Sequence, residues 1–149
     1  MPDLQESFSR DDGPLVRVEV QLSRADLRKR QAAGLSTPPP VEINALLDTG
    51  AEMSCLDIRL VNRLGLPMSG ARLVNIPATG GLQASRQYDA GLTIVHPSRD
   101  PAQHLVLPAF PLDGVPLNAL GYDAILGRDF LARCVFTYDG PSRTFTLSY

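Results

Sequence analysis

An aspartate at the end of an apolar run constrains this chain more than any other feature of its sequence. Asp48 follows the apolar residues 45–47 and precedes Thr49 and Gly50. Burying an ionised carboxylate is costly unless hydrogen bonds or a partner charge compensate it, so Asp48 requires donors, a shared proton or water. Thr49 and the backbone amides around Gly50 could be those donors. Asp48 is therefore the first candidate for a functional group.

Three other segments accompany this motif along the chain. Residues 14–18 read Pro-Leu-Val-Arg-Val and could open the domain as a strand. Residues 80–89 read Gly-Gly-Leu-Gln-Ala-Ser-Arg-Gln-Tyr-Asp, and paired glycines suit a turn that requires positive φ. Residues 124–129 read Ala-Ile-Leu-Gly-Arg-Asp, again joining an apolar run to a glycine and an acid. An Asp-Thr-Gly turn alone has a purely structural alternative, but the three accompanying segments favour a functional site.

In this order the four segments resemble the retropepsin family, the single-domain aspartic peptidases of retroviruses and their cellular relatives. A helix ending in Leu-Gly-Leu-Pro at residues 64–67 is more typical of cellular and bacterial retropepsin-like domains and retrotransposon proteases. The resemblance implies an all-β fold, a small closed acid-protease barrel with one or two short helices. It also implies aspartic endopeptidase activity on an extended polypeptide substrate.

The resemblance further implies a symmetric homodimer, because the chemistry needs two carboxylates and Asp-Thr-Gly occurs once in the chain. Asp48 of each subunit would then supply half of the catalytic pair. Thr49 is expected to hydrogen-bond across the two-fold axis, and Gly50 to let the substrate backbone approach closely. No cofactor and no metal are expected.

By the same resemblance, other positions would bind substrate or support the site. For the side chains that would line apolar subsites, ordinary core packing is the alternative. The expected substrate-binding residues are Leu46, Ala51, Glu52, Cys55, Thr79, Gly80, Gly81 and Ile125, and the expected structural supports are Gly127 and Arg128.

Some positions depart from the retroviral pattern. Glu52 and Met53 stand where retroviral enzymes carry two acids, and Gly13 stands where they carry an arginine that crosses the dimer interface to the first acid. Arg128 matches the family's helix arginine and could pair with Glu52. The dimer contacts are therefore expected to differ, and residues 144–149 could replace or extend the usual interface strand.

Composition narrows the function further. With 149 residues, 44% of them hydrophobic, the chain fits one domain that can bury a core. A net charge of -2 gives no basic field for nucleic acid. We expect no membrane interaction and a cytoplasmic location, because no apolar run approaches a membrane span and the first ten residues do not look like a signal peptide.

The chain is expected to divide into a flexible tail over residues 1–13 and a single protease domain over residues 14–149. Within the domain we expect an inserted helix and proline-rich loop over residues 23–40 and a flap hairpin over residues 71–95. Cys55 and Cys134 are too sparse for a disulfide scaffold and are interpreted as reduced core residues.

Two alternatives remain open. His96, Asp100 and His104 could suggest a metal cluster, but their spacing fits no familiar zinc pattern and a solvated loop is the better interpretation. The alternative function is a catalytically weak retropepsin-like module that binds peptides or dimerises. The complete Asp-Thr-Gly and the paired glycines favour the enzyme, whereas Gly13 and Met53 favour the module.

Overall fold

The computed structural model describes residues 1–76, 80–117 and 120–149, with Ile76 described by its backbone alone. Strands dominate these ranges, with three short α-helices and one 3-10 turn, Pro101–Gln103, between them. The strands are β1 (Asp3–Ser7), β2 (Leu15–Leu22), β3 (Val41–Leu47), β4 (Cys55–Asp57), β5 (Met68–Ile76), β6 (Gly81–Ile94), β7 (Leu105–Val115), β8 (Ala124–Leu126), β9 (Val135–Asp139) and β10 (Thr144–Ser148). The helices are α1 (Arg24–Ala32), α2 (Ile58–Leu64) and α3 (Arg128–Leu131).

A closed barrel forms the centre of the molecule. Seven strands pair in the order β2-β3-β8-β4-β7-β6-β5, and a further pairing of β2 with β6 closes the first six of them into a ring. Closure leaves no free edge among those six strands, so their backbone groups are paired around the ring. The expected all-β closed barrel is confirmed, with three helices rather than one or two.

The barrel core follows from alternation along the strands. In β2 the side chains of Val16, Val18, Val20 and Leu22 are buried, and the residues between them are more exposed. Because successive side chains of a strand point to opposite faces, this pattern places one face of β2 inside the barrel. The same alternation of apolar and polar residues is present in the sequence of residues 15–22.

The helices begin and end where the sequence indicates. Ser23 caps α1, its hydroxyl oxygen accepting from the N–H of Asp26, and α1 lies within residues 23–40, where a helix was expected. Asp57 caps α2 by accepting from the N–H of Arg59, and Gly65 ends that helix in the left-handed conformation. No helix in the described ranges is both long and apolar enough to cross a membrane.

The ends of the chain form a second, smaller sheet in the order β1-β10-β9. Leu4 of β1 pairs with Leu147 of β10, and its side chain is only 1% exposed. The first residues therefore differ from the flexible tail that we expected over residues 1–13. A polar, charged sequence hid this strand because only one side chain of β1, Leu4, is buried.

A long antiparallel hairpin of β5 and β6 projects from the barrel. The N-terminal part of β6 pairs with β5, whereas residues 90–94 pair with β2 and close the ring. This hairpin occupies most of the segment in which we expected a flap. At its described end, Gly80 and Gly81 both adopt positive φ, as the paired glycines predicted.

Candidate active site

Asp48 lies directly after β3, at the point where two strands run side by side. β3 and β8 are parallel neighbours, with Leu46 opposite Ile125 and Leu47 opposite Leu126. The N–H of Asp48 donates to the carbonyl of Leu126 at 3.0 Å, which continues this pairing to the base of the carboxylate. Asp48 is half-buried, whereas Thr49 and Gly50 are exposed.

A local hydrogen bond orients the Asp48 carboxylate. The N–H of Gly50 donates to Oδ1 of Asp48 at 2.8 Å, and the N–H of Ala51 donates to the Asp48 carbonyl at 3.3 Å. A backbone amide that donates to a carboxylate compensates part of its desolvation and restricts its rotation. The amide of Gly50 is thus one of the donors that the sequence suggested.

A second contact fixes the segment that follows Gly50. The N–H of Arg128 donates to the carbonyl of Ala51 at 2.9 Å, and the guanidinium of Arg128 donates to the carbonyl of Thr49 at 3.3 Å. A Cβ at position 127 would lie 2.8 Å from the carbonyl oxygen of Ala51, so Gly127 allows this close approach. Gly127 and Arg128 therefore lie where structural support of the Asp48 loop was expected.

The expected ion pair between Arg128 and Glu52 is not formed within 4.0 Å in the described part of the chain. The guanidinium of Arg128 instead reaches the Thr49 carbonyl. Glu52 contacts the same helix through its backbone, since its carbonyl accepts from the N–H of Asp129 at 3.3 Å. The partner of the Arg128 guanidinium is therefore the Thr49 carbonyl of the loop backbone and not the Glu52 carboxylate.

Ser54 and Asp129 form a buried polar link that the sequence did not single out. The hydroxyl of Ser54 donates to Oδ1 of Asp129 at 2.7 Å and accepts from the N–H of Gly127 at 2.9 Å. The N–H of Ser54 also donates to Oδ2 of Asp129 at 3.1 Å. Because these groups are 75 positions apart, the link joins the segment after the Asp48 loop to the start of α3. The feature of the sequence that could have indicated this link is the acid Asp129, which directly follows Gly127 and Arg128.

Three of the expected subsite side chains form a row across neighbouring strands. Ile125 pairs with Leu46 on one side and with Cys55 on the other. All three side chains are half-buried. Their neighbours within the same strands face the barrel core and are buried. The row therefore lies on the outer face of the barrel wall, beside the Asp48 loop. The structure brings these residues together.

A charged pair continues this row and was not predicted. Asp113 lies opposite Cys55 in β7 and is 7% exposed. Two guanidinium nitrogens of Arg72, in β5 of the hairpin, donate to its carboxylate at 2.6 and 3.3 Å. These hydrogen bonds raise the pKa of Arg72, with further contributions from the charges of Asp113, Glu52 and Asp129. The hairpin is thus anchored to the barrel beside the candidate subsites.

The Asp48 carboxylate opens into a pocket of about 520 Å³. Its lining combines the Asp48 loop with two aromatic residues of the terminal sheet. The lining residues are Pro14, Leu47, Asp48, Thr49, Phe136 and Tyr138. The described chain supplies one carboxylate to this pocket.

The cysteines lie in environments that keep them protonated. Burial raises the pKa of the Cys55 thiol to about 11, against the smaller effect of a hydrogen bond with the backbone of Ile125. Burial also raises the pKa of Cys134. Both thiols are free of disulfides. Because the thiolate is the nucleophilic form, neither cysteine is a candidate nucleophile.

The remaining expected site residues divide into three groups. Ala51 and Glu52 lie in the segment held by α3, and Gly80 and Gly81 lie at the end of the hairpin. Thr79 lies outside the described residues. Their contact with substrate stays a prediction.

Comparisons with known proteins identify relatives of this fold. A crystal structure of a retropepsin-like aspartic protease from Rickettsia conorii is similar with a TM-score of 0.59 at 15% sequence identity, covering 99% of this chain and 90% of that one. The protease of EIAV, complexed with the inhibitor HBY-793, matches with a TM-score of 0.46 at 19% identity, over 86% of this chain and 93% of that one. No curated protein matches the chain. At 15% sequence identity, the similarity to the Rickettsia protein shows only that the two proteins share a fold.

The sequence itself gives the family. The family described as retroviral aspartyl protease matches residues 10–137, which include the Asp48 loop, the hairpin and the Gly127 segment. The chain belongs to the retroviral aspartyl protease family.

Proposed function

We propose that this protein is an aspartic endopeptidase that hydrolyses peptide bonds through two Asp48 carboxylates, one from each subunit of a homodimer. The observation that carries the proposal is the position and orientation of the Asp48 side chain. Its carboxylate is oriented by the Gly50 amide, opens into a pocket, and has no second acidic side chain beside it in the described lining. One chain thus supplies half of a two-carboxylate site.

In such a dimer the two carboxylates share one proton, because like charges within hydrogen-bond distance cannot both ionise. The ionised member takes a proton from a bound water as that water attacks the scissile carbonyl carbon. The protonated member donates to the carbonyl oxygen. As the C–N bond breaks, the nitrogen leaves with the proton that the first carboxylate took from water, which frees that carboxylate. A hydroxyl of the tetrahedral intermediate gives its proton to the other carboxylate, which regenerates the acid. Because the pair titrates as a unit, we expect activity to be highest in mild acid.

The substrate would bind as an extended strand between the Asp48 loop and the hairpin. The row of Leu46, Ile125 and Cys55 would give apolar subsites, since all three side chains face outward beside the loop. The hairpin supports this arrangement, because Leu73 and Leu82 are exposed on one of its faces, as the pairing of β5 with β6 shows. Apolar side chains exposed in this way are suited to cover a bound peptide.

The proposal is tested by incubating the protein with a mixed peptide library from about pH 4 to 7, with Asp48→Asn alongside. The amide keeps the shape of the carboxylate but removes the proton that the pair shares. We expect cleavage beside apolar residues, inhibition by a transition-state mimic such as pepstatin, and loss of at least about a thousandfold in kcat/KM in the variant. Equal cleavage by both proteins would overturn the assignment.

The alternative function, a weak peptide-binding or dimerisation module, is favoured by one observation. Gly13 has no side chain to cross an interface, and its backbone lies against Leu46. If neither protein cleaves the library but both bind peptides from it with equal affinity, the module becomes the better assignment.

A further inference from the structure

A second pocket lies between the hairpin and the end of β7, on the side of the barrel that carries Cys55. Its volume is about 220 Å³. No residue of its lining was expected at the site from the sequence. The lining residues that decide its chemistry are Val74, Gln83 and Ser85 of the hairpin and Asp113, Val115 and Pro116 at the end of β7.

Strand pairing places this pocket next to the candidate subsites. Asp113 lies opposite Cys55, so the two side chains point to the same face of the barrel wall. On the hairpin, Arg72 lies opposite Ser85 and reaches Asp113 at 2.6 Å. Val74 follows Arg72 by two positions and therefore shares this face of the hairpin. The pocket thus continues the row of outward-facing side chains that begins beside the Asp48 loop.

Apolar side chains lie beside a buried acceptor in this pocket. Asp113 is almost fully buried, and each of its carboxylate oxygens accepts one hydrogen bond from Arg72. A carboxylate has about four acceptor positions, so Asp113 can accept further hydrogen bonds from a group that enters the pocket. Val74, Val115 and Pro116 offer apolar contact. This combination fits a long side chain with an apolar stem and a donating head, as in lysine and arginine.

The charges around the pocket favour a cation. The hydrogen bonds with Asp113 raise the pKa of Arg72 most, and the charges of Asp113, Glu52 and Asp129 raise it further. These three carboxylates exceed the single guanidinium in charge. At Cys55, burial raises the pKa of the thiol most, and the charges of nearby carboxylates raise it further. A positively charged side chain would therefore enter a region of negative potential.

We propose that Asp113 selects a basic side chain, lysine or arginine, at one position of the peptide substrate. This inference rests on the proposed function and adds a charged subsite to the apolar ones of Leu46, Ile125 and Cys55. The ammonium or guanidinium of the substrate donates to the Asp113 carboxylate in a charge-assisted hydrogen bond. Arg72 holds that carboxylate from the hairpin side, so Arg72 is a positioning residue.

The inference is tested on matched peptides. A library peptide that the protein cleaves, or binds if none is cleaved, is remade with lysine, norleucine or glutamate at each position in turn. Norleucine keeps most of the lysine stem without the charge. We expect the lysine peptide to exceed the norleucine peptide in kcat/KM at a single position, and glutamate to be poorest there. Fluorescence anisotropy of the same peptides with Asp48→Asn measures the preference without cleavage.

Variants of the pocket assign the preference to its charges. Asp113→Asn keeps the shape of the side chain, and we expect it to lower the ratio of lysine to norleucine by roughly 10- to 100-fold, because a charge-assisted hydrogen bond is lost. Gln83 is exposed and pairs with Val74, so Gln83→Glu should raise the ratio and Gln83→Lys should lower it. A loss of stability affects all peptides alike, so the ratio separates selection from folding.

Gln5→Glu is the matched control for Gln83→Glu. Gln5 is exposed on β1, in the other sheet, and its exchange should leave the ratio unchanged.

The results separate the two proposals. Peptides cleaved with a lysine preference that Asp113→Asn and Gln83→Glu leave unchanged, or with no lysine preference at any position, would overturn the charged subsite while the peptidase stands. A glutamate preference that Arg72→Met abolishes would also overturn it. If no peptide is cleaved but D48N binds lysine peptides more tightly through Asp113, the subsite is supported and the peptidase is not. Equal binding of lysine and norleucine peptides, or no binding, would overturn the subsite.

Discussion

At the residue scale, Ser54 does more for the Asp48 loop than its position in the sequence suggests. Its hydroxyl connects the N–H of Gly127 to the carboxylate of Asp129, and all three groups lie under the segment that follows Gly50. Ser54 is completely buried. A buried donor or acceptor that loses its partner costs more than a hydrogen bond contributes when it is made.

We therefore predict that Ser54→Ala lowers the free energy of unfolding by about 1–3 kcal/mol, because it leaves the Gly127 amide and one Asp129 oxygen without this partner. Urea denaturation measures the change. Ser36→Ala is the matched control, since Ser36 is exposed and only its backbone carbonyl is used, by Arg30. Equal stabilities of the two variants would show that the hydrogen bonds of the Ser54 hydroxyl do not stabilise the fold.

Sequence reasoning predicted roles for Asp48, Gly127 and Arg128 because each belongs to a short contiguous motif, and those roles stay predictions. It missed Ser54 and misassigned the partner of Arg128. Charge favoured Glu52, whereas the loop brings the Thr49 carbonyl to the guanidinium. The reason is that a motif fixes which residues are present, but the direction of a long side chain depends on the backbone groups that folding places around it.

At the element scale, an ion pair joins β5 of the hairpin to β7, in addition to the backbone pairing of β6 with β7 and β2. Arg72 donates two hydrogen bonds to Asp113, which is almost fully buried in β7. Removing one member of such a pair leaves a buried charge without compensation. This contact therefore helps to fix β5 of the hairpin against β7 of the barrel.

We predict that Arg72→Met destabilises the protein by about 1–3 kcal/mol, less than a fully buried pair because the arginine retains some exposure. Asp113→Asn in the same chain should recover part of that loss, because the unpaired charge is then absent. Thermal and urea denaturation of both single variants and the double variant give the coupling energy.

The pair formed by Arg99 and Glu42 is a suitable control. It also has two hydrogen bonds, at 2.8 and 3.2 Å, but both side chains are exposed. Arg99→Met should have a much smaller effect than R72M, since exposed pairs contribute little. If the two arginine variants are equally stable, burial of Asp113 does not increase the contribution of its ion pair to stability.

Patterns within elements predicted most of the secondary structure. The alternation in β2, the Asp57 cap and the Gly65 end of α2 were all readable, since each depends on residues a few positions apart. The boundaries depend on contacts between elements. β4 spans Cys55–Asp57, because the pairing of Cys55 with Ile125 and Asp113 fixes where the extended segment begins.

At the scale of the whole molecule, Asp57 joins three parts of the chain. Its carboxylate accepts from the N–H of Arg59 at the start of α2, from the Arg59 guanidinium, and from the N–H of Leu117 after β7. The guanidinium hydrogen bond is the largest cause that holds the pKa of Asp57 below its ordinary value, against the opposing effect of burial.

A carboxylate whose pKa is lower in the folded state stabilises the protein above its unfolded pKa, and this contribution is lost as pH falls through the folded value. We predict that Asp57→Asn lowers the free energy of unfolding at neutral pH. It should also flatten the loss of stability that the natural protein shows below about pH 5. Urea denaturation from neutral pH down to about pH 3 measures both effects.

Asp11→Asn, a change at an exposed aspartate, serves as the control for this prediction. It should leave both the stability at neutral pH and its slope in acid unchanged. A D57N protein with the same acid slope as D11N would contradict the linkage assigned to Asp57.

Contiguous motifs in the sequence are enough to assign the family and to find the loop that carries Asp48, and the closed barrel is what that family resemblance implies. Such motifs, like the alternation along single strands, span a few residues and need no knowledge of distant partners. The tertiary structure alone decided the Ser54–Asp129 link, 75 positions apart, the Arg72–Asp113 anchor, 41 positions apart, and the pairing of β1 with β10. Each joins segments whose residues are polar or unremarkable on their own. Such contacts exist only because barrel closure brings remote strands within hydrogen-bond distance.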